Sequence, residues 1–488
     1  MSDAALQALF GEASALIDRG DYFGAQQRLK RMLQIRPGEP NAFRLAARIA
    51  VETGQLERAI ELRRKVCEAA PREPAFRVAL GETYRDLGRF GEAIAQFDRA
   101  LKLDKNHAGA LGARAETLEL QGKHEAAERL LRPVAERSLA PEIGAVWIRL
   151  LTRRGDLDEA ISAGRAILEA KPKPTPALRH AAFALAAALE KAGDYAGALD
   201  AAARANATCA PNFDPARYRA RIDELTDLFT RGAIAAMPRP AEPSDLPVLI
   251  VGMPRTGSTL IERIIDAHPK AFGAGERFTL NLLAGRLGSR TGSSRPYPRI
   301  GLDLKQEHVE GLAHDYLADH AQLAPRAERI SNKDLSNLER LWLVAAALPR
   351  ARVIYCLRDE VDTCLSCYME RLPTYAVPWA SDFGHLALAT RAHERLMAHW
   401  REATDLAIID VRYEELVADQ EAQSRRLIEF LGLDWDDACL RPHQVQRRAR
   451  TLSHDQVTRP VYTSSAGRAE RFGAALDPLR KALASTKW

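Results

Sequence analysis

The sequence predicts a multidomain chain: an all-α solenoid of paired helices, followed by an α/β domain with a parallel sheet and a P-loop-like glycine turn. Three observations carry this. A glycine followed five residues later by an alanine recurs at Gly20/Ala25, Gly54/Ala59, Gly88/Ala93, Gly122/Ala127, Gly155/Ala160 and Gly193/Ala198, in steps of 34, 34, 34, 33 and 38 residues. A proline-rich stretch, MPRPAEPSDLP (Met237 to Pro247), then interrupts any regular hydrogen bonding. Directly after it, Val248-Leu249-Ile250-Val251 leads into the glycine turn and an apolar helical pattern. The division that follows is 1–230 for the repeats, 231–246 for the linker and 247–488 for the α/β domain.

Each repeat glycine closes the first helix of a pair or starts its turn, and each alanine lets the second helix pack closely on the first. Pro37, Pro71 and Pro172, each seventeen residues after its glycine, break the chain before the next unit. The clearest copy is LGETYRDLGRFGEAIAQFDRALKLD, with Leu80, Gly81, Tyr84, Ala93, Phe97 and Ala100 in the pattern. Over roughly residues 5–225 the chain resembles the tetratricopeptide repeat family, whose stacked units share a continuous core. The resemblance implies a concave face that holds a protein, a peptide or another large hydroxyl acceptor. A spacer or a homodimerisation arm is the alternative, since such a fold does not name its ligand.

Composition narrows the class. A chain of 488 residues has room for several domains at about 100–200 residues each, and 28% charged with 46% hydrophobic residues fits a folded protein. A net charge of +5 over this length is weak evidence for nucleic acid; the basic cluster RPHQVQRRARTL (Arg441 to Leu452) lacks aromatic platforms and reads as a solvated or anion-facing segment. No stretch approaches the roughly 18 apolar residues of a membrane span, and the N-terminus has no secretory pattern. Six scattered cysteines suit reduced thiols, so cytoplasm is the expected compartment; Cys364-x-x-Cys367 lacks partners for zinc and reads as packing.

Strand, glycine turn and helix together form the context that a phosphate loop needs. In VGMPRTGSTLIERII, Gly252 and Gly257 have the phosphate-loop spacing, yet Ser258 stands where the lysine would be and Arg255 lies inside the turn. Backbone N–H groups and a helix N-terminus favour an anion, the Ser258 and Thr259 hydroxyls add donors, and Arg255 supplies a planar fork. Without the lysine the site suits γ-phosphoryl transfer poorly; a shorter activated phosphate anhydride fits better. Further strands are expected at Arg329 to Asn332, Arg352 to Leu357 and Leu406 to Val411, with ligands at their carboxyl ends.

The stretch Pro254 to Thr259 (PRTGST), followed by DAHP (Asp266 to Pro269) and by Gly275-Glu276, resembles the 5′-phosphosulfate loop of sulfotransferases. The likeness is to tyrosylprotein sulfotransferases and to bacterial proteins joining tetratricopeptide repeats to a sulfotransferase domain, over about residues 247–475. It implies 3′-phosphoadenosine 5′-phosphosulfate (PAPS) as cosubstrate, with no metal required. Pro254, Arg255, Thr256, Gly257, Ser258 and Thr259 fall on its 5′ side. RVIYCLRDEVDTCLS looks like the family's 3′-phosphate site, with Arg358 at a strand end and Ser366 on the next helix, although Glu360 departs from the proline of the bacterial relatives. SNKDLSN places Lys333 where the family has a lysine near the scissile bond. SHDQVTRPVYTSSAGR offers Arg459 and Arg468 to the phosphate side, though the tail after it lacks the tryptophan of many bacterial relatives.

On this resemblance Glu276 is the base that takes the acceptor proton, and Lys333 and Arg255 stabilise the leaving phosphate. His268 is a rival base, but beside Pro269 it reads as a helix C-cap. The acceptor is a protein tyrosine or another hydroxyl. The alternative function is a repeat scaffold whose sulfotransferase-like domain binds nucleotide without turnover. Trp342, Trp379, Trp400 and Trp435 are expected in the core or an acceptor cleft, and the polar segment 285–301 as a lid or a disordered loop.

Overall fold

The computed structural model describes residues 3–18, 20–137, 139–170, 172–208, 212–374, 376–445 and 466–488. Its contacts divide the chain into two units, Met1–Pro211 with Met369–Pro378, and Asn212–Tyr368 with Trp379–Trp488.

The first unit is a series of antiparallel helix pairs: α1 (Asp3–Asp18) with α2 (Tyr22–Ile35), α3 (Pro40–Glu52) with α4 (Leu56–Ala69), α5 (Pro74–Asp86) with α6 (Phe90–Leu103), α7 (Ala108–Leu120) with α8 (His124–Ala135), α9 (Pro141–Arg154) with α10 (Leu157–Glu169), and α11 (Pro176–Lys191) with α12 (Tyr195–Thr208). The repeat glycine does what its spacing predicts. Gly88 lies at φ 74°, its N–H reaches the Arg85 carbonyl, and the next N–H, of Arg89, reaches Tyr84, which closes α5. The alanine five residues on is wholly buried in every copy: Ala25, Ala59, Ala93, Ala127, Ala160 and Ala198.

Residues Met369–Pro378 group with these helices by contact. Arg371 pairs with Glu116 and donates to His180 Nδ1 at 3.1 Å, while Arg179 donates to the Leu372 carbonyl at 3.2 Å. Burial would raise the Glu116 carboxyl, but the guanidinium groups of Arg85, Arg371 and Arg149 hold it well below the usual range. Burial, reinforced by Arg371, pulls His180 down to about 3, so its neutral ring is free to accept.

The second unit begins with α13 (Pro215–Leu228) and α14 (Arg231–Ala235). The boundary expected at 230/231 therefore moves to 211/212. The reason is packing: Ile222, Leu225, Phe229 and Ile234 are buried in the α/β core, where Phe229 stacks on Trp342 at 4.1 Å.

Then follow β1 (Pro247–Gly252), α15 (Ser258–Ala267), β2 (Ala271–Gly273), α16 (Thr279–Gly285), α17 (Leu287–Thr291), α18 (Gln306–Ala321), β3 (Arg329–Asn332), α19 (Leu341–Ala347), β4 (Arg352–Leu357), α20 (Glu360–Tyr368), α21 (Phe383–Ala403), β5 (Ala407–Arg412), α22 (Tyr413–Ala418), α23 (Gln420–Phe430) and α24 (Asp477–Ser485). The strands form one parallel sheet in the order β2-β3-β1-β4-β5. Alternation sorts the two faces: Val248, Ile250, Ile354 and Cys356 pack with Ile261, Ile264, Ile265, Leu427 and Ile428. Leu249, Val251 and Val353 face the opposite layer, with Trp342, Leu396 and Trp400. Each fully buried aliphatic side chain contributes roughly 1.5–3 kcal/mol. Segment 285–301 is not an open loop, because Leu287 and Ile300 anchor it in this core.

Candidate functional site

A parallel sheet delivers all its carboxyl ends to one edge, so the strand order fixes the order of the site. After β2 comes Glu276, after β3 Lys333, after β1 the glycine loop, after β4 Arg358 and after β5 Tyr413. Neighbouring strands lie about 4.8 Å apart, which puts the loop between Lys333 on one side and Arg358 on the other.

The loop is built for close approach. Gly252 has φ 141°, and a Cβ there would lie 2.7 Å from the Cys356 carbonyl oxygen; at Gly257, φ 88°, it would lie 2.6 Å from the Tyr413 ring. Arg255 takes φ 69°, an unfavourable left-handed backbone for a residue with a Cβ. The Thr256 hydroxyl donates to the Met253 carbonyl at 2.6 Å, and the Cys367 thiol to that of Pro254 at 3.5 Å, which pins the turn from two sides. Ser258 and Thr259 occupy the first turn of α15, both largely buried.

Arg255 Nε donates to Ser366 Oγ at 3.4 Å, and Arg358 Nη1 to the Arg255 carbonyl at 3.0 Å. The four elements β1, α15, β4 and α20 thus bring Arg255, Arg358 and Ser366 together. Arg358 stacks on the Tyr413 ring, 5.0 Å from its centroid, and contacts Asp362 at 3.4 Å. Asp362 also accepts the N–H groups of Gly467 (2.8 Å) and Ala469 (2.6 Å), so it fastens the backbone on both sides of Arg468 to the Arg358 site. Arg459 and the segment 446–465 lie outside the described residues.

The other side of the loop is a charge cluster. Lys333 Nζ donates to Glu276 Oε1 at 2.6 Å; the lysine side chain is 2% exposed and the glutamate 46%. Asn332 positions the pair: its Nδ2 donates to the Arg277 carbonyl at 3.0 Å, and its Oδ1 accepts from Asp334 N at 2.9 Å. The Lys333 N–H donates to Gly275 O at 2.9 Å. Burial pulls the Lys333 ammonium down, but Glu276 and Glu262 outweigh it and hold it above its ordinary value. Glu262, on the second turn of α15, is buried and accepts the Gly275 N–H at 2.9 Å.

His268 caps α15: its Nε2 lies 2.8 Å from the Asp434 carbonyl and its Nδ1 accepts from Lys270 N, so both ring nitrogens are engaged with backbone. Cys364 and Cys367 are buried, the former against Thr390. Trp342, Trp379 and Trp400 are core residues, and Arg425 stacks on Trp435.

Sequence reasoning missed Glu262, Asn332, Asp362 and Tyr413. One signal existed for Glu262. A loop helix apolar on several sides, as LIERII is, buries whatever charge it carries.

Residues 247–437 match the sequence model of the sulfotransferase family, and 16–82 and 78–138 match tetratricopeptide repeat models. The chain thus joins tetratricopeptide repeats to a sulfotransferase-family domain. An uncharacterised protein of Aquifex aeolicus is 27% identical over 330 residues, 66% of this chain and 43% of that one. Protein-tyrosine sulfotransferase A of Caenorhabditis elegans is 26% identical over 225 residues, 44% of this chain and 58% of the relative. Protein-tyrosine sulfotransferase 1 of Danio rerio is 27% identical over 230 residues, 44% and 64%. The chain thus spans less than two thirds of the length of each of these relatives. Among solved structures, the sulfotransferase domain from the Synechococcus PCC 7002 olefin synthase aligns over 52% of this chain and 99% of its own, with a TM-score of 0.36 and 19% identity.

Proposed function

We propose that the α/β unit transfers a sulfuryl group from PAPS to an acceptor hydroxyl, with a tyrosine in a protein or peptide as the favoured acceptor. The observation that carries this reading is the Lys333–Glu276 pair, at 2.6 Å, at the carboxyl ends of β3 and β2 beside a glycine loop that lacks the nucleoside-triphosphate lysine. A buried cation touching an exposed carboxylate beside an anion cradle supplies what in-line transfer between two oxygens needs. The donor set fits as well: the loop's backbone and the Ser258 and Thr259 hydroxyls suit a 5′-phosphosulfate, and Arg358 with Ser366, one strand over, suits a terminal phosphate.

In this mechanism the acceptor oxygen forms a bond to sulfur as the bond from sulfur to the bridging 5′-phosphate oxygen breaks. Glu276, the exposed member of the pair, takes the acceptor proton. Lys333 and Arg255 present positive charge to the phosphate side, already held by packing and hydrogen bonds, so little reorganisation accompanies the step. The similarity of the tyrosine-specific relatives, at 26–27% identity, supports the acceptor class.

Isothermal calorimetry with adenosine 3′,5′-bisphosphate against ATP tests the nucleotide, with the bisphosphate expected to bind more tightly. Glu276→Ala should then abolish sulfuryl transfer, scored with labelled PAPS over peptide and small phenol acceptors, while largely sparing bisphosphate binding. Surviving turnover removes Glu276 as base. Binding without turnover on any hydroxyl favours a nucleotide-binding scaffold instead.

A further inference from the structure

The proposed step makes Glu276 change charge while it is bonded to a lysine that is almost wholly buried. Once Glu276 carries the acceptor proton, Lys333 loses that counter-charge at the moment its own charge is needed on the phosphate side. A buried ammonium that loses one of its anionic partners holds its proton less firmly. A second carboxylate facing Lys333 prevents this, and α15 supplies one.

We infer that Glu262 is a positioning residue of the transfer site: it fixes the backbone that carries Glu276, and its charge keeps Lys333 protonated when Glu276 takes up the acceptor proton. The inference rests on the sulfuryl-transfer reading for its purpose, though not for its physical content.

The geometry is specific. Glu262 Oε1 accepts the N–H of Gly275, the residue before Glu276, at 2.9 Å. One turn later Asp266 Oδ1 accepts the N–H of Gly273 at 2.7 Å. Two carboxylates on one helix face therefore clamp the end of β2, so tightly that a Cβ on Gly273 would come within 3.1 Å of both side chains. Their surroundings differ. Lys333 at the end of β3, Glu276 after β2 and Asp266 on the same helix all act on the Glu262 carboxyl. The two carboxylates that raise Lys333 are Glu276 and Glu262, with the Cys356 thiol of β4 as a lesser neighbour. Burial pushes the Glu262 carboxyl up to about 7, with Lys333 and the Gly275 N–H pulling the other way. Glu262 thus sits where a change in the charge of its neighbours decides its own. Asp266 makes the same kind of backbone clamp and serves as an internal control.

Glu262→Gln keeps an oxygen for the Gly275 N–H and removes the charge. Bisphosphate binding is expected to stay within about twofold of the parent, while kcat falls about tenfold or more. An inflection in the pH profile of kcat/KM near 7 should vanish in Glu262→Gln and persist in Asp266→Asn, moved to lower pH because one like charge beside Glu262 is gone. A Glu262→Gln enzyme with the parent's rate and inflection overturns the inference. A second measurement needs no turnover. Glu276→Gln imitates the protonated base, and the Lys333 side-chain nitrogen can be followed by NMR. Lys333 should titrate at least about one pH unit lower in Glu262→Gln/Glu276→Gln than in Glu276→Gln alone. Equal titration in the two overturns the charge role even if the protein transfers no sulfate. A lowered titration in the double variant, with a parent protein that transfers no sulfate, supports the charge role and discards the sulfuryl-transfer reading. Should the double variant not fold, the pH profile of Glu262→Gln alone decides.

Discussion

The two units bury different things. In the repeats, the positions fixed by the 34-residue period are small and uncharged, and all six period alanines are wholly buried. At the carboxyl edge of the sheet, the buried set is ionic: Lys333, Asp362 and Arg358 expose 2%, 1% and 6% of their side chains. An alanine in a helix seam gains from burial and does nothing else. A lysine there costs desolvation unless partners surround it. The contrast teaches that burial sets spacing in the first unit and sets charge in the second, so the same kind of substitution should have different consequences in each.

Lys333→Met should separate them most. It keeps the length and loses the charge, and sulfuryl transfer is expected to fall about 10²–10³-fold, with a much smaller loss of adenosine 3′,5′-bisphosphate binding because the glycine loop and the Arg358 site still hold both phosphates. Steady-state rates with labelled donor and calorimetry check both. A parent-like rate would put Lys333 with the structural residues and erase the contrast.

Next in size is a pH effect on stability. The folded state holds a proton on Glu262 up to about pH 7, whereas an unfolded glutamate loses it near 4.3. Between those values the folded state binds more protons, so stability falls as pH rises, by at most about 4 kcal/mol. Denaturant titrations of the parent and Glu262→Gln from pH 5 to 8 should show the slope in the former and a flatter course in the latter.

The smallest effect tests the other unit. Ala127→Leu forces extra volume into a seam with no exposed surface and should cost about 1–3 kcal/mol in urea. Bisphosphate affinity is expected to stay unchanged. A weakened affinity would mean that spacing in the repeats also tunes the charge cluster.

Much of this architecture is legible in the sequence. The repeats repeat in sequence because each unit must bury the same seam, and β1 and β4 are apolar runs because helices cover both faces of the central sheet, whereas β3 (RISN) is buried with one apolar residue and β5 has exposed ends. β2 was missed because Ala271–Gly273 is three residues long and pairs only with β3. Contacts group α13 and α14 with the second unit, from Asn212 on, where the sequence suggests 230/231, because the apolar faces of these helices do not say which core they join. The segment 285–301 looks polar throughout and hides two anchors, Leu287 and Ile300. In the site, Arg255, Glu276, Lys333, Arg358 and Ser366 were named from motifs. Glu262, Asn332 and Asp362 act on backbone at Gly275, Arg277 and Gly467, in other segments of the chain. No local pattern records such a meeting.

Residues Met369–Pro378 give the repeat array a piece of its own structure from far downstream, through Arg371 on Glu116 and His180 and through Leu372 on Arg179. A single cut at the proline stretch therefore does not yield two self-sufficient modules. The upstream fragment would be left with a buried carboxylate short of one guanidinium, and the downstream fragment with an arginine strap and nothing to fasten it to. Exchanging the helical array for another would require three matched junctions rather than one, and the pairing of Glu116 with Arg371 would have to travel with it.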